Sequence, residues 1–240
     1  MNIRNVLFDL DGTFADTAPD LHYALHRVML SRGMTPLTLK QIRPTVSHGS
    51  RAMLKAAFGM EPGDPGYDEL RESFLDSYLA NIAKRTRLFD GMEELLDTFG
   101  GRGISWGIVT NKPAWLTDPL MEGLGLSQRA CCVVSGDTTD HAKPHPEPIL
   151  HACRLVGVEP RQSIYVGDAE RDIEAGNRAG ALTLVALFGY LSEQDTPDEW
   201  QAAGCVAHPL EILDWLSDEP TTPQTASPTT SQLNSQAHES

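Results

Sequence analysis

A group of polar residues falls where short apolar runs end. Val6, Leu7 and Phe8 lead into Asp9 and Asp11 and then turn on Gly12; Ile104 to Val109 leads into Thr110 and Asn111; Lys143 opens "KPHPEP"; Asp168 and Asp172 lie in "VGDAERD". Unbroken apolar runs read as strands buried on both faces, and ligands of open α/β sheets bind beyond the C-terminal ends of such strands. Carboxylates buried there without partners would be costly. Taken singly, each residue has an ordinary reading as a helix cap, a turn residue or a surface charge. Taken together at adjacent strand ends, carboxylates, a hydroxyl and an ammonium are the equipment for Mg²⁺-assisted phosphoryl transfer. Asp9, Asp168 and Asp172 with a phosphate dianion would gather about five negative charges against Lys143 alone, so a divalent cation is expected.

The elements that must position these residues can be read from periodicity. Leu21, Leu25, Val28 and Met29 recur at helical spacing, and Ala52, Ala56 and "ESFLDSYLANI" extend an all-helical insert over residues 16–85. Beyond it strand and helix alternate: Ile104 to Val109, "PAWLTDPLMEGLGL", "CCVVSGD", Pro146 to about Val156, "SIYVGD", "ERDIEAGNRAG" and "LTLVAL". That alternation predicts a parallel sheet with helices on both faces, formed by residues 1–15 and 86–217. Residues 218–240 are rich in Ser, Thr, Pro and Gln and read as a disordered tail.

Composition narrows the function classes. With 240 residues and 40% hydrophobic content the chain can bury a core. No stretch approaches the roughly 20 apolar residues of a membrane span, and Asp9 arrives too early for a secretory signal, so a cytoplasmic location is expected. Cys131, Cys132, Cys153 and Cys205 have no Cys-x-x-Cys spacing and read as buried thiols, the first two on a strand. The formal charge of −14 disfavours nucleic acid and anionic membrane as partners. A small anionic molecule stays possible where a local cation offsets the field.

In order, "DLDGT", "VTN", "KP" and "GDAERD" resemble the four motifs of the haloacid dehalogenase superfamily, across about residues 3 to 216. The resemblance implies a Rossmann-like core with a mobile α-helical cap inserted behind the first strand. It implies that Asp9 attacks phosphorus to form an aspartyl-phosphate and that Asp11 is the general acid and then base. It also implies that Asp9, Asp168 and the backbone carbonyl of Asp11 ligate Mg²⁺, with Asp172 behind them, while Thr110 and the Asn111 N–H hold the transferring oxygens. Ala169 departs from the pattern, since relatives often carry Ser, Thr or Asp there. Asp11 argues against a dehalogenase; a phosphomutase and a non-catalytic binding module on the same fold are the remaining alternatives, the latter predicting loss of a motif residue.

The substrate must be sought in the insert, where Arg43, His48, Arg51 and Lys55 cluster. Arg51 and Lys55 are four apart and share a helix face, and Ser47 to Ser50 could present N–H groups at that helix's start. The cluster is either a solvated basic face or a reader of a substrate carboxylate. The overall pattern resembles the phosphoglycolate phosphatases. "VTNKP", "KPHPEP", "RDIEAGNRAG" and "FGYLSEQDTPDEW" are similar to the N-acetylmuramic acid 6-phosphate phosphatases of peptidoglycan recycling. Both imply a small carboxylate-bearing phosphate ester as partner.

Overall fold

The structure, a computed structural model, describes residues 2–216; the expected disordered tail lies outside the described residues. The chain begins with strand β1 (Asn5–Phe8) and the short β2 (Ala15–Asp16). The helices α1 (Ala18–Ser31), α2 (Leu39–Ile42), α3 (Gly49–Phe58) and α4 (Tyr67–Leu79) follow, with a 3-10 segment Arg43–His48 between α2 and α3. Then come β3 (Arg87–Leu88), α5 (Met92–Arg102), β4 (Ser105–Val109), α6 (Ala114–Gly123), β5 (Val133–Val134) and α7 (Glu147–Val156). The described chain closes with β6 (Ser163–Gly167), α8 (Glu170–Ala179), β7 (Leu182–Ala186), β8 (Gly204–Val206) and a 3-10 segment Pro209–Leu216.

Six strands form one parallel sheet in the order β5-β4-β1-β6-β7-β8. Strand alternation explains the unbroken apolar runs. Val6 and Phe8 point to one face, against Phe99, Ile108 and Val166, while Leu7 points to the other, with Val109, Ile149 and Tyr165. With both faces covered by helices the strand interiors are mostly apolar, and the buried exception Thr183 of β7 gives its hydroxyl hydrogen to Asn177 Oδ1 at 2.8 Å. β1 lies between β4 and β6, with Asn5 in register with both Ser105 and Ser163, so the connections diverge to either side of it. This is the switch point where an open α/β sheet has its crevice.

The insert has a core of its own, in which Leu25 and Met29 of α1 meet Met53 and Leu54 of α3 and Phe74 and Tyr78 of α4. Its two crossings to the sheet are bound together. Ala15 and Asp16 pair antiparallel with Leu88 and Arg87. Buried Asp20 of α1 accepts hydrogen bonds from Arg85 N, Thr86 N and Thr86 Oγ1 at 2.9–3.0 Å. Asp20 carries no periodic signal in the sequence, because its role is to satisfy the backbone of a segment some sixty-five residues away.

Two local expectations need correcting. Cys131 and Cys132 precede β5 rather than lying on it, and Cys131 is exposed. Edge strand β5 pairs over Val133–Val134 only, although Cys131 N still reaches Trp106 O at 2.8 Å. β8 escaped the sequence reading because three residues, one of them glycine, are too short for any periodicity.

Candidate active site

At the end of β1, Asp9 N donates to Val166 O at 2.9 Å, and the chain then folds back so that Phe14 N bonds to Asp9 O. The reversal needs Gly12 at φ 93°, a left-handed backbone open to glycine. A methyl group there would also run into Asp168 Oδ2 and Tyr190. Asp9 is thereby held beneath the surface, 3% exposed.

Lys143 anchors the centre. Its ammonium donates to Asp9 Oδ1 at 2.8 Å, Val109 O at 2.9 Å and Tyr165 Oη at 2.7 Å. It also lies 2.7 Å from Asp172 Oδ1. That last contact is an ion pair off the hydrogen-bonding direction, so the buried Oδ1 atom has no hydrogen-bond partner. Asp172 Oδ2 accepts from Ala169 N at 3.1 Å, which places it one turn into α8. Asn111 clasps the Lys143 backbone, accepting from its N–H at 3.0 Å and donating to its carbonyl at 2.9 Å. Thr110, also buried, accepts the Lys112 N–H at 3.1 Å.

Asp168 follows β6 and accepts from Thr13 Oγ1 at 3.3 Å, and at Oδ2 from Tyr190 N at 2.9 Å and from Ser47 Oγ of the insert at 2.7 Å. Carboxylate oxygens of Asp9, Asp168 and Asp172 lie within 4.8 Å of one another, all three residues buried. Burial, reinforced by the charges of Asp9 and then Asp172, pushes the Asp168 carboxyl up to about 7. Burial raises Asp172 as well, against the opposing pull of Lys143. Crowded carboxylate oxygens, with an Asp172 Oδ1 that accepts no hydrogen bond, fit a hard divalent cation, for which carboxylate donors are the suitable ligands.

Asp11 faces elsewhere. Its carboxylate takes Lys112 Nζ at 2.7 and 2.9 Å and the Thr17 hydroxyl. Burial would lower the Lys112 ammonium, but Asp11 and Tyr78 outweigh it and raise it above the lysine range. The tally that set Lys143 alone against the carboxylates is therefore incomplete. Lys112 and Arg171 also line the crevice, and the Arg171 guanidinium donates to Ser47 O. The available signal for Lys112 was its place directly after Asn111, yet nothing in one sequence separates it from a solvated lysine.

A cleft of about 420 Å³ joins Asp9, Asp11 and Thr110 to the insert. His48 and Arg51 line it, as does Arg71, which the sequence reading passed over. Arg43 is kept out of that lining, paired with Asp16 at 3.0 Å and stacked on Tyr190. Arg51 and Lys55 do share a face of α3, where both contact Glu61; Lys55 and Arg51 hold that carboxyl down to about 2.

Fold, carboxylate cluster and buried lysine define a class: an α/β enzyme with a buried cluster of carboxylates beneath a helical insert. The family model of the haloacid dehalogenase-like hydrolases matches residues 6–186. The chain belongs to that family, and it is a phosphatase. It is 40% identical over 216 residues to an N-acetylmuramic acid 6-phosphate phosphatase of Pseudomonas aeruginosa, covering 90% of this chain and 96% of the relative. It is 43% identical over 209 residues to a phosphoglycolate phosphatase of Xanthomonas campestris, covering 87% and 94%. Among solved structures, a predicted phosphoglycolate phosphatase from Haemophilus somnus superposes with a TM-score of 0.80 at 22% identity over 90% of this chain and 99% of that one, a likeness of fold.

Proposed function

We propose that the protein is a Mg²⁺-dependent phosphomonoesterase acting on N-acetylmuramic acid 6-phosphate, by way of an aspartyl-phosphate on Asp9. The observation that carries this reading is the cleft: at about 420 Å³ it joins the Asp9 carboxylate to a wall of apolar side chains and cationic groups. Pockets of that size enclose ligands of sugar dimensions, whereas phosphoglycolate has two carbons. The 43% identity to a phosphoglycolate phosphatase favours that compound as the second reading. Retention of Asp9, Asp11, Thr110, Lys143, Asp168 and Asp172 supports an enzyme over a binding module.

Asp9, Asp168 and the Asp11 carbonyl would hold the Mg²⁺, with Asp172 behind them; when bound, the cation neutralises phosphate and carboxylate charge. Lys143 orients Asp9 through Oδ1, leaving Oδ2 for attack on phosphorus. Thr110 and the Asn111 N–H would receive the transferring oxygens. Asp11 would protonate the leaving alkoxide and then take a proton from the water that hydrolyses the acyl phosphate, with Lys112 and Thr17 fixing its orientation. Among the described residues no helix is long and apolar enough to cross a membrane, and the free cysteines fit a reducing compartment, which supports a cytoplasmic enzyme of peptidoglycan recycling. The test is a hydrolysis panel of N-acetylmuramic acid 6-phosphate, phosphoglycolate, pyridoxal phosphate and a nucleoside monophosphate, each with Mg²⁺ and with excess chelator. The reading predicts the highest kcat/KM on the sugar acid and none in chelator. Equal or better turnover of phosphoglycolate refutes the substrate, and full activity with a verified empty site refutes the metal.

A further inference from the structure

Helix α4 turns Arg71, Phe74, Leu75 and Tyr78 toward the cleft, positions i, i+3, i+4 and i+7 of one face. Tyr78 marks the inner end. Lys112 Nζ lies over its ring, 4.9 Å from the centroid, and the same ammonium is 2.7 Å from Asp11. Arg71 marks the outer end, about 10 Å farther along the helix axis at 1.5 Å per residue. Between them Phe74 and Leu75, with Leu116 of α6 opposite, make an apolar wall.

The cations around this cleft differ in what they face. Arg43 is neutralised by Asp16, Arg51 and Lys55 by Glu61, and Arg85 by Asp20, while Arg171 donates to the Ser47 carbonyl. Arg71 has no acidic partner among the described residues, although Asp68 stands one turn before it on the same helix. A guanidinium with no counter-ion among the described residues, in a chain of formal charge −14, is a free fork for an anion.

Resting on the phosphatase reading above, we infer that Arg71 is the specificity-determining residue for the substrate's second anionic group. The substrate class is then a phosphate monoester whose carboxylate stands a sugar ring away from phosphorus. With phosphate at Asp9, the ring of N-acetylmuramic acid 6-phosphate packs on Phe74 and Leu75, and its lactyl carboxylate, carried on O3 two ring carbons from the C5 arm that bears the phosphate, reaches Arg71. Phosphoglycolate places its carboxylate one methylene beyond the ester oxygen, too close to phosphorus to span two helical turns.

The test compares wild type, Arg71→Gln and Arg71→Lys on N-acetylmuramic acid 6-phosphate and on N-acetylglucosamine 6-phosphate, which lacks the lactyl group. Loss of a charge-assisted contact should lower kcat/KM of Arg71→Gln about 10- to 100-fold on the first, chiefly through KM, and less than about 3-fold on the second. Arg71→Lys should recover part of the loss. Melting temperature and circular dichroism of each variant establish that it folds. Equal losses on both sugar phosphates overturn the inference, as does a selective loss in Arg51→Gln that is absent in Arg71→Gln. Both outcomes leave the enzyme's preferred substrate standing, since that is read from wild type alone. Preference of the wild type for phosphoglycolate would instead overturn the substrate reading on which this one rests.

Discussion

Replacing Asp168 by Asn should stabilise the metal-free protein at alkaline pH and abolish its response to Mg²⁺. Asp168 is 2% exposed and shares its site with Asp9 and Asp172, and its carboxyl is pushed up to about 7, first by burial and then by those two charges. A carboxyl whose folded pKa exceeds the unfolded value binds its proton more tightly in the native state. Its contribution is complete below about pH 4 and is lost as pH rises toward 7. Three pKa units correspond to roughly 4 kcal/mol, the upper bound on the cost of ionising Asp168 without a cation. The amide never ionises, so it escapes this cost. It retains an oxygen for Ser47, Thr13 or the Tyr190 N–H, and what it loses in those bonds is about 1 kcal/mol. Urea denaturation followed by tryptophan fluorescence, at pH 5 and pH 8, in chelator and in Mg²⁺, separates these terms. In chelator the variant should exceed wild type by about 1–3 kcal/mol at pH 8 and by little at pH 5. Mg²⁺ should raise wild type at pH 8 and leave the variant unmoved. If metal-free Asp168→Asn were less stable than wild type at pH 8 by as much as at pH 5, the carboxylates would not be repelling one another and would have no need of a cation.

Asp9→Asn should fold and lose activity by on the order of 10⁴ or more, because an amide cannot form the acyl phosphate; phosphatase assays on verified folded protein would contradict the covalent route by showing kcat near wild type. Asp11→Asn should lower kcat about 10² to 10⁴-fold, and, unlike Asp9→Asn, it leaves buried Lys112 without its carboxylate, so its denaturation midpoint should also fall; an unchanged pH–rate profile would remove Asp11 from proton transfer. Gly12→Ala sets a side chain at φ 93° against Asp168 Oδ2 and should weaken Mg²⁺ activation by at least about tenfold in concentration; a Mg²⁺ titration matching wild type would show that the turn yields without moving the carboxylate.

The strand ends were legible because burial on both faces keeps the strand interiors mostly apolar. Asp9, Thr110 and Asp168 therefore announce themselves as the first polar residues after apolar runs, and the four motifs place Lys143 and Asp172 beside them. The helical insert was legible for the same reason, through the spacing of Leu21, Leu25 and Met29. What the sequence could not carry is pairing between distant segments. Lys112 follows a motif and Arg71 follows none, and each has the type and spacing of a solvated residue; only the packing of α4 over the crevice brings Tyr78 against Lys112 and sets Arg71 along the same wall. Arg43 and Arg51 were legible as cap cations, but their counter-ions Asp16 and Glu61 lie 27 and 10 residues away. An ion pair depends on distance in space, for which sequence separation is no measure. Local composition decided which groups could do chemistry here, and the tertiary fold decided which of their charges are already answered and which remain for a substrate.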